Sequence, residues 1–387
     1  MGRIPLVKLV QSLTLCIAVG GCGAGSYEGV TRTDSAGMQV VANSGMSRHL
    51  AWKADTLFSI GGDPEGPGGF FRVARGLVDV DSAGRIYVLD MNQYRVAVFD
   101  ATGAAIGTVG GEGDGPGELR FPLSVAVTPG GEIRVFDGGK LKWIRYTLRD
   151  GYLGTMPYPY TVIGMGFRHF GLAPSGTVLW ARDPYTGSDQ RFDRLLWVAG
   201  MDTTYMVADR PAERSTASYP ECGMAYTIAV PLSPAIYWTQ AGDRVGIAMW
   251  GQYRVDLFDR GKVIRSIRLG APQEPISESE AISLLRARGY RGPCNTDAAQ
   301  VVKRHGFYPY PQVISGVTLD GHGELWVGRR TAGTEETVDV FDSTGVELGS
   351  LPDAFPLPLT FTPSGTALVK LKDSLDVERL GIVRVIR

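Results

Sequence analysis

The sequence predicts an all-β fold, a six-bladed β-propeller with a small α-helical insertion between blades four and five. Three observations carry that reading. The first is a recurring phrase: Arg85-Ile86-Tyr87-Val88-Leu89-Asp90, then Tyr94-Arg95-Val96-Ala97-Val98-Phe99-Asp100 with Thr102-Gly103. It returns over 132–137, over 253–259, and over 324–327 with 338–345, a period of roughly 40–50 residues built from short strands, as in a propeller blade. The second is glycine, 52 of 387 residues, which many tight turns with positive φ require. The third is bulk composition, 44% hydrophobic and 20% charged, which suffices for a buried core. A formal net charge of −1 argues against a nucleic-acid partner, because phosphate binding needs a surplus of Lys and Arg.

The first 22 residues stand apart. Arg3 and Lys8 are cationic, and 9–21 is apolar, ends in small residues and is short for a membrane span, so 1–22 reads as a signal peptide. Its end, Val19-Gly20-Gly21-Cys22, resembles a bacterial lipobox, in which cleavage exposes a cysteine for lipidation. Cys16 follows Leu15 and lacks the small neighbour. Residues 23–36 are then expected as a flexible tether and 37–387 as the propeller.

Each blade reads as four strands, a to d from the axis outward. The a–b turns mark the blades at Gly84, Gly131, Gly176, Gly242, Gly323 and Gly365. The last blade runs out of chain after strand c. Residues 55–62 resemble strand d of blade one, 105–111, and are expected to supply the missing strand and so close the ring. Two d–a connections are long, 209–233 and 270–310. The second holds the helical insertion, about 271–306: Ser277 with Glu280 makes a capping box, Gly289 suits C′, and a second helix over 297–305 ends at Gly306.

Alternating strands put the d–a and b–c connections on one face and the a–b and c–d turns on the other. The Gly-rich stretches 61–68 and 110–118 lead into strands and carry Asp and Glu, so they read as blade connectors and not as phosphate cradles. Asp90, Asp137 and Asp183 end b strands and read as Asx-turn acceptors. Of the four histidines, His49, His169, His305 and His322, the last falls in an a–b turn, away from His169 and His305, so a three-histidine zinc site is not expected. No Gly-x-Ser-x-Gly elbow is present, and no catalytic residue, metal ligand or cofactor is assigned.

A ligand surface is expected on the d–a face. Arg72, Arg75 and Arg120 flank the starts of a strands, Lys140 and Lys142 lie in a b–c loop, and Tyr94 and Tyr185 belong to b–c loops of the same face. Such clusters suit acidic or sugar-like groups. With Cys16 lost in the signal and Cys22 lipidated, Cys222 and Cys294 remain as a pair for a disulfide across the two insertions.

The chain resembles NHL-type six-bladed propellers, and in particular bacterial six-bladed propeller lipoproteins. The resembling residues are 33–43, Ile60-Gly61-Gly62, 113–119, and Asp373 with 381–385. The resemblance implies an exported propeller, lipid-anchored in a bacterial envelope, at the outer membrane where one exists, since Gly23 is not the Asp that retains lipoproteins inside. It implies a non-enzymatic binding or scaffold module for a protein, peptide or saccharide, and a monomer. A metal-dependent, lactonase-like hydrolase or a lyase of propeller fold is the alternative.

Overall fold

The computed structural model describes residues 29–387 except 45–47, 63–65, 67–68, 71, 158–169, 183–191, 212–213, 234, 250–251, 271–273, 331–335 and 353–354. The signal segment, Cys22, His169, Asp183 and Tyr185 lie outside the described residues.

Six sheets surround one axis. Blade one comprises Val78–Val80, Ile86–Asp90, Arg95–Phe99 and Ala105–Gly110; blade two comprises Pro122–Val127, Ile133–Asp137, Lys142–Thr147 and Gly151–Pro157. Blade three runs through Gly171–Ala173, Gly176–Arg182, Phe192–Ala199 and Asp202–Pro211, and blade four through Tyr237–Ala241, Arg244–Met249, Arg254–Asp259 and Lys262–Leu269. Blade five is Ile314–Leu319, Leu325–Arg330, Glu336–Phe341 and Glu347–Ser350. Blade six takes Thr360–Phe361, Ala367–Lys372 and Glu378–Ile386 from the C-terminal end of the chain. Its strand d is Lys53–Ile60, antiparallel to Glu378–Ile386, with Ile60 opposite Leu380 and Lys53 opposite Ile386. The ring is closed by the strand expected to close it.

One side-chain device recurs at the turns. Asp81 accepts from the N–H groups of Ala83 and Arg85, Asp320 from His322 and Glu324, Asp100 from Thr102 and Ala104, and Asp342 from Thr344 and Val346. Thr128 and Thr362 each accept from the residue four ahead. An acceptor bonding two and four residues on satisfies backbone donors that a tight turn would strand. The fourth turn residue must then adopt positive φ, 77° at Gly84 and 85° at Gly323, where a Cβ would be strained.

The b and c strands bury both faces against neighbouring blades, which is why they read as nearly continuous apolar runs. Tyr87, Leu89, Val96 and Val98 of blade one pack on Val125, Val135, Ile144 and Tyr146 of blade two. Val255, Leu257 and Ile267 of blade four meet Val317, Leu325, Val327 and Phe341 of blade five. Each such side chain contributes about 1.5–3 kcal/mol on burial. A fully bonded carboxylate also locks blades four and five. Asp339 accepts from Arg329 at 2.8 and 3.1 Å, from the Tyr253 hydroxyl at 2.7 Å and from the Ser350 hydroxyl at 2.6 Å.

Residues 30–35, expected within a tether, are instead structured. Val30–Ser35 and Met38–Asn43 form a hairpin, and Met38–Asn43 lies parallel to the outer strand of blade four, Asn43 opposite Leu269. Blade four is therefore a six-stranded sheet. The Asn43 side chain explains the docking: its amide donates to the carbonyls of Arg268 and Gly345, and its oxygen accepts from Glu347 N–H.

Both insertions lie on d–a connections. The helices are α1, Glu278–Ala287, and α2, Ala298–His305. Ser277 and Glu280 form the capping box, Gly289 follows with φ 64°, Asp297 caps α2 and Gly306 ends it. The connection from blade three to blade four carries a separate hairpin, Arg214–Tyr219 with Met224–Ala229.

Candidate functional site

The innermost strands converge on the axis and enclose a cavity of about 330 Å³. It opens at the a–b turns, since all six contribute to its rim: Asp81 and Ser82, Pro129, Pro174, Gly242, Gly321, and Thr362 with Pro363. This is the face opposite the one on which the sequence reading placed the ligand.

The inner wall of the cavity is built around Arg75. Its guanidinium reaches from the approach to blade one toward blades six and five, donating to the carbonyls of Leu359 at 2.9 Å and Pro358 at 3.0 Å and to the Thr318 hydroxyl at 2.7 Å. Burial lowers its pKa to about 10, so it stays cationic at neutral pH. Arg75 is thus spent on spanning blades one, five and six, with part of its surface still facing the cavity.

Asp79 sits in strand a of blade one. Burial raises its pKa to about 6, and nearby Asp81 adds to the rise, against the lowering effect of N–H donors from Val127 and Val80. One oxygen accepts from Val127 N–H at 2.7 Å and the other from Val80 N–H at 2.9 Å, so Asp79 also stitches blade one to blade two. The remaining polar lining comes from Thr239, Gln240 and Thr360, with Leu172, Val80 and Phe361 as apolar surface. The Gln240 amide donates to Gly242 O at 2.9 Å, while its oxygen is buried without a partner. A cation, an acid with raised pKa and an unpaired amide oxygen in one cavity can hold a small polar molecule.

The other residues expected on the d–a face are mostly engaged elsewhere. Lys140 donates inward to the carbonyls of Glu118 at 2.9 Å and Gly115 at 3.3 Å, pinning the Gly-rich connector, and Glu118 itself accepts from Gly115 N–H. Tyr94 packs against the core between blades one and two with φ 55°. Arg72 is exposed, Arg120 is exposed with Asp114 at 3.7 Å, and Lys142 is exposed. The residues expected to form the ligand surface therefore do not gather in one pocket: Arg75 lines the cavity, and Arg120 and Lys142 lie on the outer d–a surface. Asp90 and Asp137 act as turn acceptors, from Asn92 and Gln93 and from Gly139 and Lys140.

The sequence reading assigns no role to Asp79 or Gln240, although Asp79 stands as a carboxylate between Val78 and Val80 in an innermost strand.

The two d–a insertions join as a cap. Cys222 and Cys294 form a disulfide with Cα atoms 6.1 Å apart. The Tyr219 hydroxyl meets His305 Nε2 at 2.9 Å, Arg304 lies 4.5 Å over the Tyr219 ring, and Arg304 pairs with Glu221 at 2.6 Å. Burial is the main cause holding the His305 pKa below its ordinary value. Among the described residues, no three His, Cys, Asp or Glu side chains gather as a metal site.

Comparison with known proteins agrees with this architecture. A family model for DUF5128, described as a 6-bladed beta-propeller, matches residues 76–240, from blade one into blade four. No curated protein matches the chain. Among solved structures, a candidate exported protein from Bacteroides fragilis is similar at TM-score 0.52 and 13% identity, over 90% of this chain and 100% of that one. A member of the DUF4221 family from Bacteroides vulgatus is similar at TM-score 0.50 and 9% identity, over 87% and 99%. At such identity the likeness speaks for fold alone, and with the family match and the six closed sheets it makes this chain a six-bladed β-propeller.

Proposed function

We propose that the protein is an exported binding module, anchored in the cell envelope by lipid at Cys22, that holds a small saccharide-like molecule in its axial cavity. The cavity carries the reading. Its size falls at the small end of ligand pockets, it is reached from one face, and its lining pairs hydrogen-bonding groups with apolar surface. Asp79 accepts from hydroxyls when ionised and donates when protonated, and Gln240 offers its spare acceptor. The role proposed is binding, since the described lining offers hydrogen-bonding groups placed to hold a polar molecule. Export is supported by the exposed Cys222–Cys294 bridge, a bond that persists in oxidising compartments, and by the lipobox-like sequence at Cys22.

Saturation-transfer NMR against monosaccharides, amino acids and sugar lactones tests this. Saccharides should bind, and a folded Thr360→Trp variant, whose indole fills the cavity, should lose that binding. Undiminished binding by the filled variant contradicts the site. Turnover of a lactone in the presence of a divalent ion contradicts the non-enzymatic role.

A further inference from the structure

We propose that the axial cavity takes a monosaccharide bearing a carboxylate, a uronic or aldonic acid, with Arg75 as its counter-charge. The inference rests on the saccharide-binding reading above, and it adds the charge and the end group of the ligand.

The bonding of Arg75 is the first observation. Its Nη1 donates to the carbonyl of Leu359, and its Nη2 to the carbonyl of Pro358 and the hydroxyl of Thr318. All three acceptors are neutral, and Nε donates to no described residue. Arg329, Arg254 and Arg145, also half-buried, are instead met by carboxylates: Asp339 at 2.8 Å, Asp256 at 2.7 Å and Glu132 at 2.9 Å. Arg95 and Arg265 bond to neutral oxygens too, but neither lines the cavity. A guanidinium taken out of water with no carboxylate beside it keeps a net attraction for an anion. Burial alone lowers the Arg75 pKa, and among the described residues no negative neighbour restores it.

The other charged groups of the lining do not supply that anion. Asp81 is held by Arg85 at 2.6 Å and by the Tyr87 hydroxyl at 2.9 Å. Asp79 directs its two oxygens to the N–H groups of Val127 and Val80 and makes no ion pair with Arg75. Arg75 is turned toward blades five and six and Asp79 toward blade two, so a ligand can set its carboxylate and its hydroxyls on different sides of the axis. A planar guanidinium matches a carboxylate, which accepts parallel N–H bonds from it. The uncharged polar groups, Thr239, Thr360 and the unpartnered Gln240 oxygen, match sugar hydroxyls. Gly171 keeps that oxygen in place, because a Cβ there would lie 1.8 Å from it.

Isothermal titration calorimetry on the mature chain tests this with acids and neutral sugars matched in size, galacturonate against galactose and gluconate against sorbitol. Each acid should bind at least about tenfold more tightly than its neutral partner. An Arg75→Gln variant that keeps the circular-dichroism spectrum of the folded chain should lose that preference, and the Thr360→Trp variant should bind neither member of either pair. Equal affinity of acid and neutral sugar for the parent chain overturns the counter-charge and leaves the saccharide site standing, and that comparison needs no variant to fold. An acid preference that survives in the filled variant puts the carboxylate outside the cavity and overturns the inference as well. Failure of all these compounds to bind overturns the saccharide reading, and this inference with it.

Discussion

Asp79 is held in an unfavourable charge state at neutral pH, and that has a measurable consequence. An unfolded aspartate titrates near 3.8, whereas Asp79 in the folded chain titrates near 6, chiefly because burial penalises its charge. Between those values the folded chain keeps a proton that the unfolded chain has lost. The stabilising contribution of this group is therefore complete below about pH 4 and is lost as pH rises through about 6. Asp79→Asn keeps an acceptor for a backbone N–H but removes the titration. Relative to the parent it should gain about 1–2 kcal/mol between roughly pH 4 and pH 8, less than the full shift implies because water in the cavity screens the charge. Urea unfolding of both proteins across that range checks it, and a difference that does not change with pH counts against it. The sequence made the turn roles of Asp90 and Asp137 legible because an Asx turn is local, closing over two or three residues. It did not reveal that Arg75 and Lys140 turn inward, since a long side chain finds its carbonyl partners only once distant strands are placed.

At the scale of elements, the cap is two insertions that neither alone would hold in place. The hairpin Arg214–Tyr219 with Met224–Ala229 is two-stranded, and an isolated hairpin is marginal in water. The bridge to Cys294 closes a loop of 72 residues, worth up to about 4 kcal/mol in the chain-entropy model. A double Cys222→Ser, Cys294→Ser variant should keep its ring and exchange amide hydrogens faster in that hairpin, with blades one and two unchanged. Equal hairpin protection would show that Tyr219, His305, Arg304 and Glu221 suffice without the bond. The helices of this cap could be read from sequence because capping boxes and C′ glycines are local signals. The hairpin Val30–Ser35 with Met38–Asn43 could not. Its strand pairs in parallel with residues more than two hundred positions away, and short alternating strands carry no mark of their partner.

Over the whole molecule, Lys53–Ile60 and Glu378–Ile386 meet in one sheet, and this was legible because residues 55–62 repeat a strand d phrase just where blade six lacks one. That closure is the central claim, for without it there is no continuous inner wall and no axial cavity. Hydrogen exchange on strand Glu378–Ile386 tests it most directly, in the intact chain and in one lacking residues 27–60. The intact protein should protect this strand to the same degree as the b and c strands of blade two. The shortened protein should lose that protection and self-associate through the bared edge. A monodisperse shortened protein, with Glu378–Ile386 as well protected as before, would contradict the closed ring.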